Sequence, residues 1–274
     1  MRTIGLIGGM SWESSIEYYR IINETAKTKL GGLHSARSLM YSVDFAEIEA
    51  LQHQSNWDEA AKILLEAARS LERGGADFIV ICTNTMHKVT DALEAHINIP
   101  ILHIADATAE KILTNGINKV GLLGTRFTME EDFYKGRLIQ KHGLDVLVPS
   151  KEERDLIHQV IYKELCLGEI LQTSKEHFIR IMKQLLDKSG ACFVAFCKEI
   201  CQIADALEPD ELAGPRSVSP LRINRLTGVF RAEAADCVEI FEREAERINH
   251  GMARLARFGL GLQCDPLASR QIGV

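Results

Sequence analysis

No stretch of the chain is both long and apolar enough to cross a bilayer, which takes about 18 to 20 apolar residues, so a membrane-spanning helix is excluded. An excess of positive charge is lacking: 32 Lys and Arg stand against 38 Asp and Glu, and the net charge of −6 disfavours a general grip on nucleic acid. The N-terminus, Met1-Arg2-Thr3-Ile4-Gly5-Leu6-Ile7-Gly8, lacks the longer apolar region and small-residue cleavage site of a signal peptide. It reads as a buried strand, and the expectation is a cytoplasmic protein. The seven cysteines, Cys82, Cys166, Cys192, Cys197, Cys201, Cys237 and Cys264, are odd in number, which argues against a disulfide framework. Cys197 and Cys201 are four apart, with no second close pair or nearby histidine to complete a zinc site, so no metal is expected. The glycine-rich Gly5-Leu6-Ile7-Gly8-Gly9-Met10-Ser11 lacks the G-x-G-x-x-G spacing of a dinucleotide fingerprint. It reads instead as a tight turn whose amides approach a small anion such as a carboxylate.

What is present is an alternation of short apolar runs with segments of helical period. Thr3 to Ile7, Arg37 to Val43, Asp77 to Ile81, Ile101 to His103, Lys119 to Leu123, Leu144 to Val148 and Cys192 to Phe196 read as strands. Ser14 to Lys29, Trp57 to Arg73, Glu130 to Lys141, Ser150 to Leu165 and Ser174 to Lys188 read as helices, with Gly74-Gly75 and Ser189-Gly190 as stops. This order predicts an α/β fold with parallel sheets and helices on both faces.

The chain also repeats itself. Gly5-Leu6-Ile7-Gly8 returns as Gly121-Leu122-Leu123-Gly124, an offset of 124 − 8 = 116, and Gly75 to Cys82 returns as Gly190 to Cys197, an offset of 197 − 82 = 115. Two matched pairs in register point to two similar doubly wound domains related by pseudo-twofold symmetry. The expected division is 1–98, 99–200 and a divergent C-terminal segment, 201–274. That last segment departs in composition: residues 199–274 hold 9 Arg and no Lys, where residues 1–198 hold 14 Lys and 9 Arg. Asp205 to Ser219 reads as a linker and Ala232 to Phe258 as a long charged helix.

Ligands of open parallel sheets bind beyond the carboxyl ends of the strands, where both glycine turns and Cys82 and Cys197 fall. If the halves face each other, the two thiols enter one cleft from opposite sides, a geometry for chemistry on both faces of a small molecule. Cys82 leaves a buried strand into Thr83-Asn84-Thr85-Met86-His87; the amides there favour a thiolate, and Asn84 and Thr85 can hydrogen-bond a carboxylate. The plainer reading is a buried structural cysteine followed by an N-cap. His87 is either a general acid or base or a histidine satisfying a neighbouring carbonyl. Thr125 and Thr128 open the second half's counterpart turn, with Glu130 and Glu131 expected in the first turn of the following helix. Lys163 reads by itself as a solvated helix charge.

Gly8-Gly9-Met10-Ser11-Trp12-Glu13-Ser14, Cys82-Thr83-Asn84-Thr85-Met86-His87 and Leu123-Gly124-Thr125-Arg126-Phe127-Thr128-Met129 resemble the cofactor-independent aspartate/glutamate racemase family, particularly its broad-specificity bacterial amino-acid racemases. His103 to Thr108 and Glu164 to Gly168 are similar to it too. The likeness covers about residues 1–200. It implies two α/β domains, no cofactor, no metal, a small-molecule amino-acid substrate, a homodimer, and a pair of cysteines as the catalytic bases. By position it makes Cys82 the first base. Met10, Ser11, Asn84, Thr85, Thr125 and Thr128 become substrate-binding residues, and Lys163 a contact for the substrate's side-chain carboxylate. The second cysteine departs from the family's Gly-Cys-Thr-Glu: here the run is Phe196-Cys197-Lys198-Glu199-Ile200, and either Cys197 is the base or Lys198 stands in its position. The ungapped repeat favours Cys197. The function so implied is racemisation of an acidic amino acid. A related racemase or isomerase of the hydantoin or maleate type and an amino-acid-binding remnant remain alternatives.

Overall fold

A computed structural model describes residues 1–189 and 192–195, with side chains through Leu185; Phe196, Cys197 and the 201–274 segment lie outside the described residues. Strand β1 (Thr3–Gly8) leads into helix α1 (Trp12–Leu30), then β2 (Arg37–Ser42), α2 (Phe45–His53), α3 (Trp57–Arg73) and β3 (Phe78–Ile81). A 3₁₀ turn (Thr85–Val89), α4 (Thr90–Glu94), β4 (Ile101–Leu102) and α5 (Ile104–Thr114) follow. The chain continues through β5 (Lys119–Leu123), α6 (Arg126–Glu130), a π turn (Asp132–Gly136), α7 (Arg137–Gln140) and β6 (Asp145–Leu147). It then runs through α8 (Lys151–Lys163), a 3₁₀ turn (Leu165–Leu167), α9 (Gln172–Ser189) and β7 (Cys192–Ala195).

The strands form two sheets, β2-β1-β3-β4 and β6-β5-β7, with every pairing parallel. The order β2-β1-β3 reappears as β6-β5-β7, so the repeated sequence blocks occupy corresponding strands. The expected division before Ile99 does not coincide with the first sheet's end. Ile101–Leu102 pairs with Ile79–Val80, and the Ile79 amide donates to the Pro100 carbonyl at 2.9 Å. Burial of an apolar strand edge draws this strand into the first sheet.

Local chemistry explains the main elements. α3 starts where the Asn56 side chain accepts the Glu59 amide, and it buries Ala60, Leu64, Ala67, Ala68 and Leu71 on one face. That stripe packs with Ile7, Ile79 and Ile81 of the central strands. α8 starts at a capping box, with Ser150 and Glu153 satisfying each other's backbone amides. Gly9 has φ +96, and a Cβ there would lie 2.1 Å from the Val43 carbonyl oxygen; only glycine lets the end of β1 press against the strand beside it.

Two expectations are corrected. The helix expected over Glu130–Lys141 is broken: α6 begins at Arg126, Glu131 is extended, and a π turn intervenes before α7. The cause is local, because Thr125 caps a helix that starts four residues earlier than the apolar period suggests. The helices α2 and α5 were not expected, and the helix expected to start just after Cys82 begins as the 3₁₀ turn and becomes α-helical only at Thr90. The buried face of α5, Ile104, Ala105, Ala107, Thr108, Ala109 and Ile112, is dominated by small residues that give little hydrophobic contrast.

Buried histidines tie the exit of β3 to α5. His87 accepts the Ile104 amide at Nε2 (3.2 Å), so its Nδ1–H donates to the Thr83 carbonyl at 2.8 Å. Its ring lies 4.7 Å from that of His103, which caps α5 by accepting the Ala105 amide. Both nitrogens of His87 are therefore committed to backbone, in keeping with the carbonyl-satisfying reading. Burial lowers the pKa of His87 to about 4, and burial with the neighbouring His87 also lowers that of His103. One turn into α5, Asp106 accepts Arg137 (2.8 and 2.7 Å), Lys141 (2.7 Å) and His142 (2.7 Å). Burial by itself would raise this carboxyl, but the hydrogen bonds from Arg137, His142 and Lys141 outweigh it and hold the pKa well below the usual carboxylate range.

A histidine with a depressed folded pKa takes up a proton more readily when unfolded, so its contribution falls as pH drops from the unfolded value toward the folded one. The urea midpoint is accordingly expected to decrease between pH ~6.5 and ~4, with His87 contributing about 3 kcal/mol to the loss. A flat profile over that window would contradict the assignment. Asp106→Asn should cost about 2 kcal/mol at pH 7, read as a lower urea midpoint, because the cations around it lose their anion.

Candidate active site

The carboxyl ends of β1, β3 and β5 deliver the residues singled out in the sequence. Cys82 follows β3 directly, its amide continues the ladder to the Ile7 carbonyl at 2.9 Å, and it is fully buried. Asn84, half-buried, precedes the 3₁₀ turn, and its carbonyl accepts the His87 amide at 3.1 Å. Thr85 is buried, and its hydroxyl lies 3.0 Å from that of Thr125 at the end of β5. Thr125 Oγ1 in turn lies 3.1 Å from Thr128 Oγ1 and accepts the Thr128 amide at 3.3 Å as the cap of α6. Residues 40 apart in sequence, one from each sheet's edge, thus form a continuous chain of hydroxyls. Gly124 makes room for it, since a Cβ there would lie 3.2 Å from the Thr128 side chain.

Met10 and Ser11 are buried in the turn after β1. Here the expectation of a free anion-cradling turn is modified. The Gly9 amide donates to Ser15 Oγ at 2.8 Å, and that hydroxyl donates to the Ser11 carbonyl at 3.1 Å, so the Gly9 amide is spent within the turn. Lys163 is exposed at the last residue of α8. Glu130 and Glu131, expected in a helix's first turn, lie instead at the end of α6. There Glu130 accepts Arg154 at 2.7 Å and Glu131 pairs with Lys88.

Cys197 lies outside the described residues. The backbone of β7 is described, and its register with β5 bears on the repeat. In the first sheet Ile7 pairs with Ile81, one residue before Cys82; in the second Leu123 pairs with Ala195, two residues before Cys197 in sequence. Matched by register, Ile81 and Ala195 are 195 − 81 = 114 apart, one less than the 115 of the sequence repeat.

Several residues around the site were not singled out in sequence. Tyr162, next to Lys163, donates to Gln52 Oε1 at 2.8 Å, and Gln52 Nε2 lies 3.1 Å from Met86 Sδ, one residue after Thr85. Gln52 is nearly fully buried on α2, four residues after the buried Ile48. A polar side chain on an apolar stripe is the signal that could have found it. His158 accepts the Arg126 amide at the start of α6, and burial, with Arg126 nearby, lowers its pKa to about 4. Among the described residues, no cluster of three or more His, Cys, Asp or Glu suits a metal ion, and no helix is long and apolar enough to cross a membrane.

Comparison with known proteins agrees with this geometry. The family described as Asp/Glu/Hydantoin racemase matches residues 7–223. The broad specificity amino-acid racemase RacX of Bacillus subtilis is 25% identical over 149 residues, 53% of this chain and 63% of that protein's length. A crystal structure from Yersinia pestis, ascribed to an Asp/Glu racemase, is 48% identical, covers 86% of this chain and 98% of its own, and superposes with a TM-score of 0.72. An aspartate racemase homologue from Pyrococcus horikoshii OT3 is 31% identical over 85% of this chain and 100% of its own, with a TM-score of 0.65. With parallel sheets, a buried cysteine at the end of β3 and threonines from both sheets in contact, the chain belongs to the Asp/Glu/hydantoin racemase family.

Proposed function

We propose that this protein interconverts the L and D forms of an acidic amino acid, aspartate or glutamate, by proton transfer at Cα between two cysteines. The observation that carries this reading is the buried Cys82 beside a hydroxyl chain to which both sheets contribute, Thr85–Thr125–Thr128. One thiolate removes the Cα proton, and the thiol on the opposite face delivers another; the roles exchange in the reverse direction. Cys82 is one base and Cys197 the other in this scheme. A thiol's ordinary pKa of ~8.5 lies close enough to neutrality that modest tuning yields one thiolate and one thiol.

The carbanion has no cofactor as electron sink in this scheme, so its charge is met by hydrogen bonds to the α-carboxylate. The threonine hydroxyls lie within 3.1 Å of one another and hydrogen-bond among themselves. A carboxylate entering between the sheets accepts from Thr85 and Thr125 in place of these mutual bonds, and Asn84 adds a side-chain amide. Met10 and Ser11 close the site from β1, and Lys163 meets the substrate's second carboxylate.

Purified protein in D₂O with L-glutamate, then L-aspartate and a panel of other L-amino acids, should lose the Cα–H signal by proton NMR and gain the D form by chiral chromatography. Cys82→Ala should lower the rate at least about 10³-fold in both directions; retention of the parent rate would overturn the two-thiol scheme. Thr125→Val removes a carboxylate donor and the cap of α6. KM should rise about tenfold, accompanied by about 1 kcal/mol of lost stability.

A further inference from the structure

We propose that Lys88 and Glu131 are positioning residues: their ion pair, seated against Trp57 and Phe127, sets the separation of the two turns that carry Thr85 and Thr125. The inference rests on the carboxylate-binding role proposed for those threonines. Lys88 belongs to the same 3₁₀ turn as Thr85, three residues on, and Glu131 ends the short helix that Thr125 begins. The pair is made at 2.5 Å, and the ammonium also lies 4.0 Å from the Trp57 ring centroid and 5.9 Å from that of Phe127. The two rings meet edge to face at 5.1 Å. Trp57 opens α3 against the first sheet and Phe127 lies in α6, so each side supplies one charge and one ring.

The surroundings give this pair more weight than an ordinary surface contact. The side chains are 24% and 34% exposed, so water screens them only in part, and the rings add a second attraction for the same ammonium. Neither residue has a place in the proton transfer. Their contact parallels the Thr85–Thr125 hydrogen bond and joins the same two segments. A carboxylate held by both threonines needs both hydroxyls within hydrogen-bonding reach at once, and a shift of about 1 Å forfeits one of them. Loosening the pair therefore weakens the grip on substrate before it affects the chemistry.

The test compares Lys88→Met, Glu131→Gln, the double variant and Lys88→Arg. Readouts are kcat and KM with L-glutamate and L-aspartate, and amide hydrogen exchange over residues 83–89 and 125–131 without substrate. Each single neutral variant is expected to raise KM about fivefold with kcat within about twofold, and the double variant to be no worse than the more affected single. Lys88→Arg, which keeps both the charge and the ring contact, should stay within about twofold of the parent protein. Either neutral substitution should speed exchange in both segments. An unchanged KM, multiplying effects in the double variant, or faster exchange confined to the mutated segment would overturn the positioning role. If the parent protein racemises none of the amino acids tried, the functional reading fails, and exchange alone decides whether the pair couples the two turns.

Discussion

Parallel pairing imposes the constraint from which the rest of this molecule follows. A strand that must run alongside its neighbour in the same direction cannot turn back on itself, so the chain returns through a helix, and every strand of a sheet ends on the same edge. β1, β3 and β5 therefore release their chains where polar side chains and newly exposed amides gather. Gly8-Gly9, Cys82 and Gly124 all stand at such exits. The apolar stripe of α3 and the aliphatic runs of β1 and β3 bury the rest of the first sheet, leaving its carboxyl edge to carry chemistry.

That edge is held by groups that have no role in the proposed proton transfer. His87 spends both ring nitrogens on backbone, one side to the Thr83 carbonyl and the other to the amide that opens α5. The turn after Cys82 is thereby pinned from behind by a neutral imidazole. Burial keeps His87, His103 and His158 uncharged, so the stronger charges sit elsewhere: Asp106 of α5 with Arg137 and Lys141, and Lys88 with Glu131 between the turns. In the proposed reaction, a neutral frame beside the threonines leaves the α-carboxylate to directed hydroxyl and amide donors.

Much of this was legible in order of residues. β5 and α3 lie at the bounds expected from apolar runs and period, and the repeated Gly-aliphatic blocks do occupy corresponding strands of two sheets with the same order. Where reading failed, a local competitor was responsible. Thr125 caps a helix at Arg126, before the apolar period becomes visible, and so displaces Glu130 and Glu131 from the start of a helix to its end. The alanine-rich face of α5 carried too little hydrophobic contrast to announce itself. Ile101–Leu102, read as the opening of a second half, completes the first sheet because β3 offered it an unpaired edge.

By itself the sequence determined the residue types and their periodicity, and through these the parallel α/β architecture, the placing of Cys82 after a buried strand, and the family motifs. These are local properties, set by burial of alternating segments and by the glycines and caps at their ends. Only the tertiary structure decided which distant side chains meet. Thr85 finds Thr125, Gln52 finds Tyr162 from 110 residues away, and Lys88 finds Glu131 between two aromatic rings. Strand register was also decided there, with Ala195 and not Phe196 opposite the residue that repeats Ile7. A one-residue slip leaves composition and spacing almost unchanged, yet it reverses which face each side chain occupies, so it is settled by the packing of whole sheets.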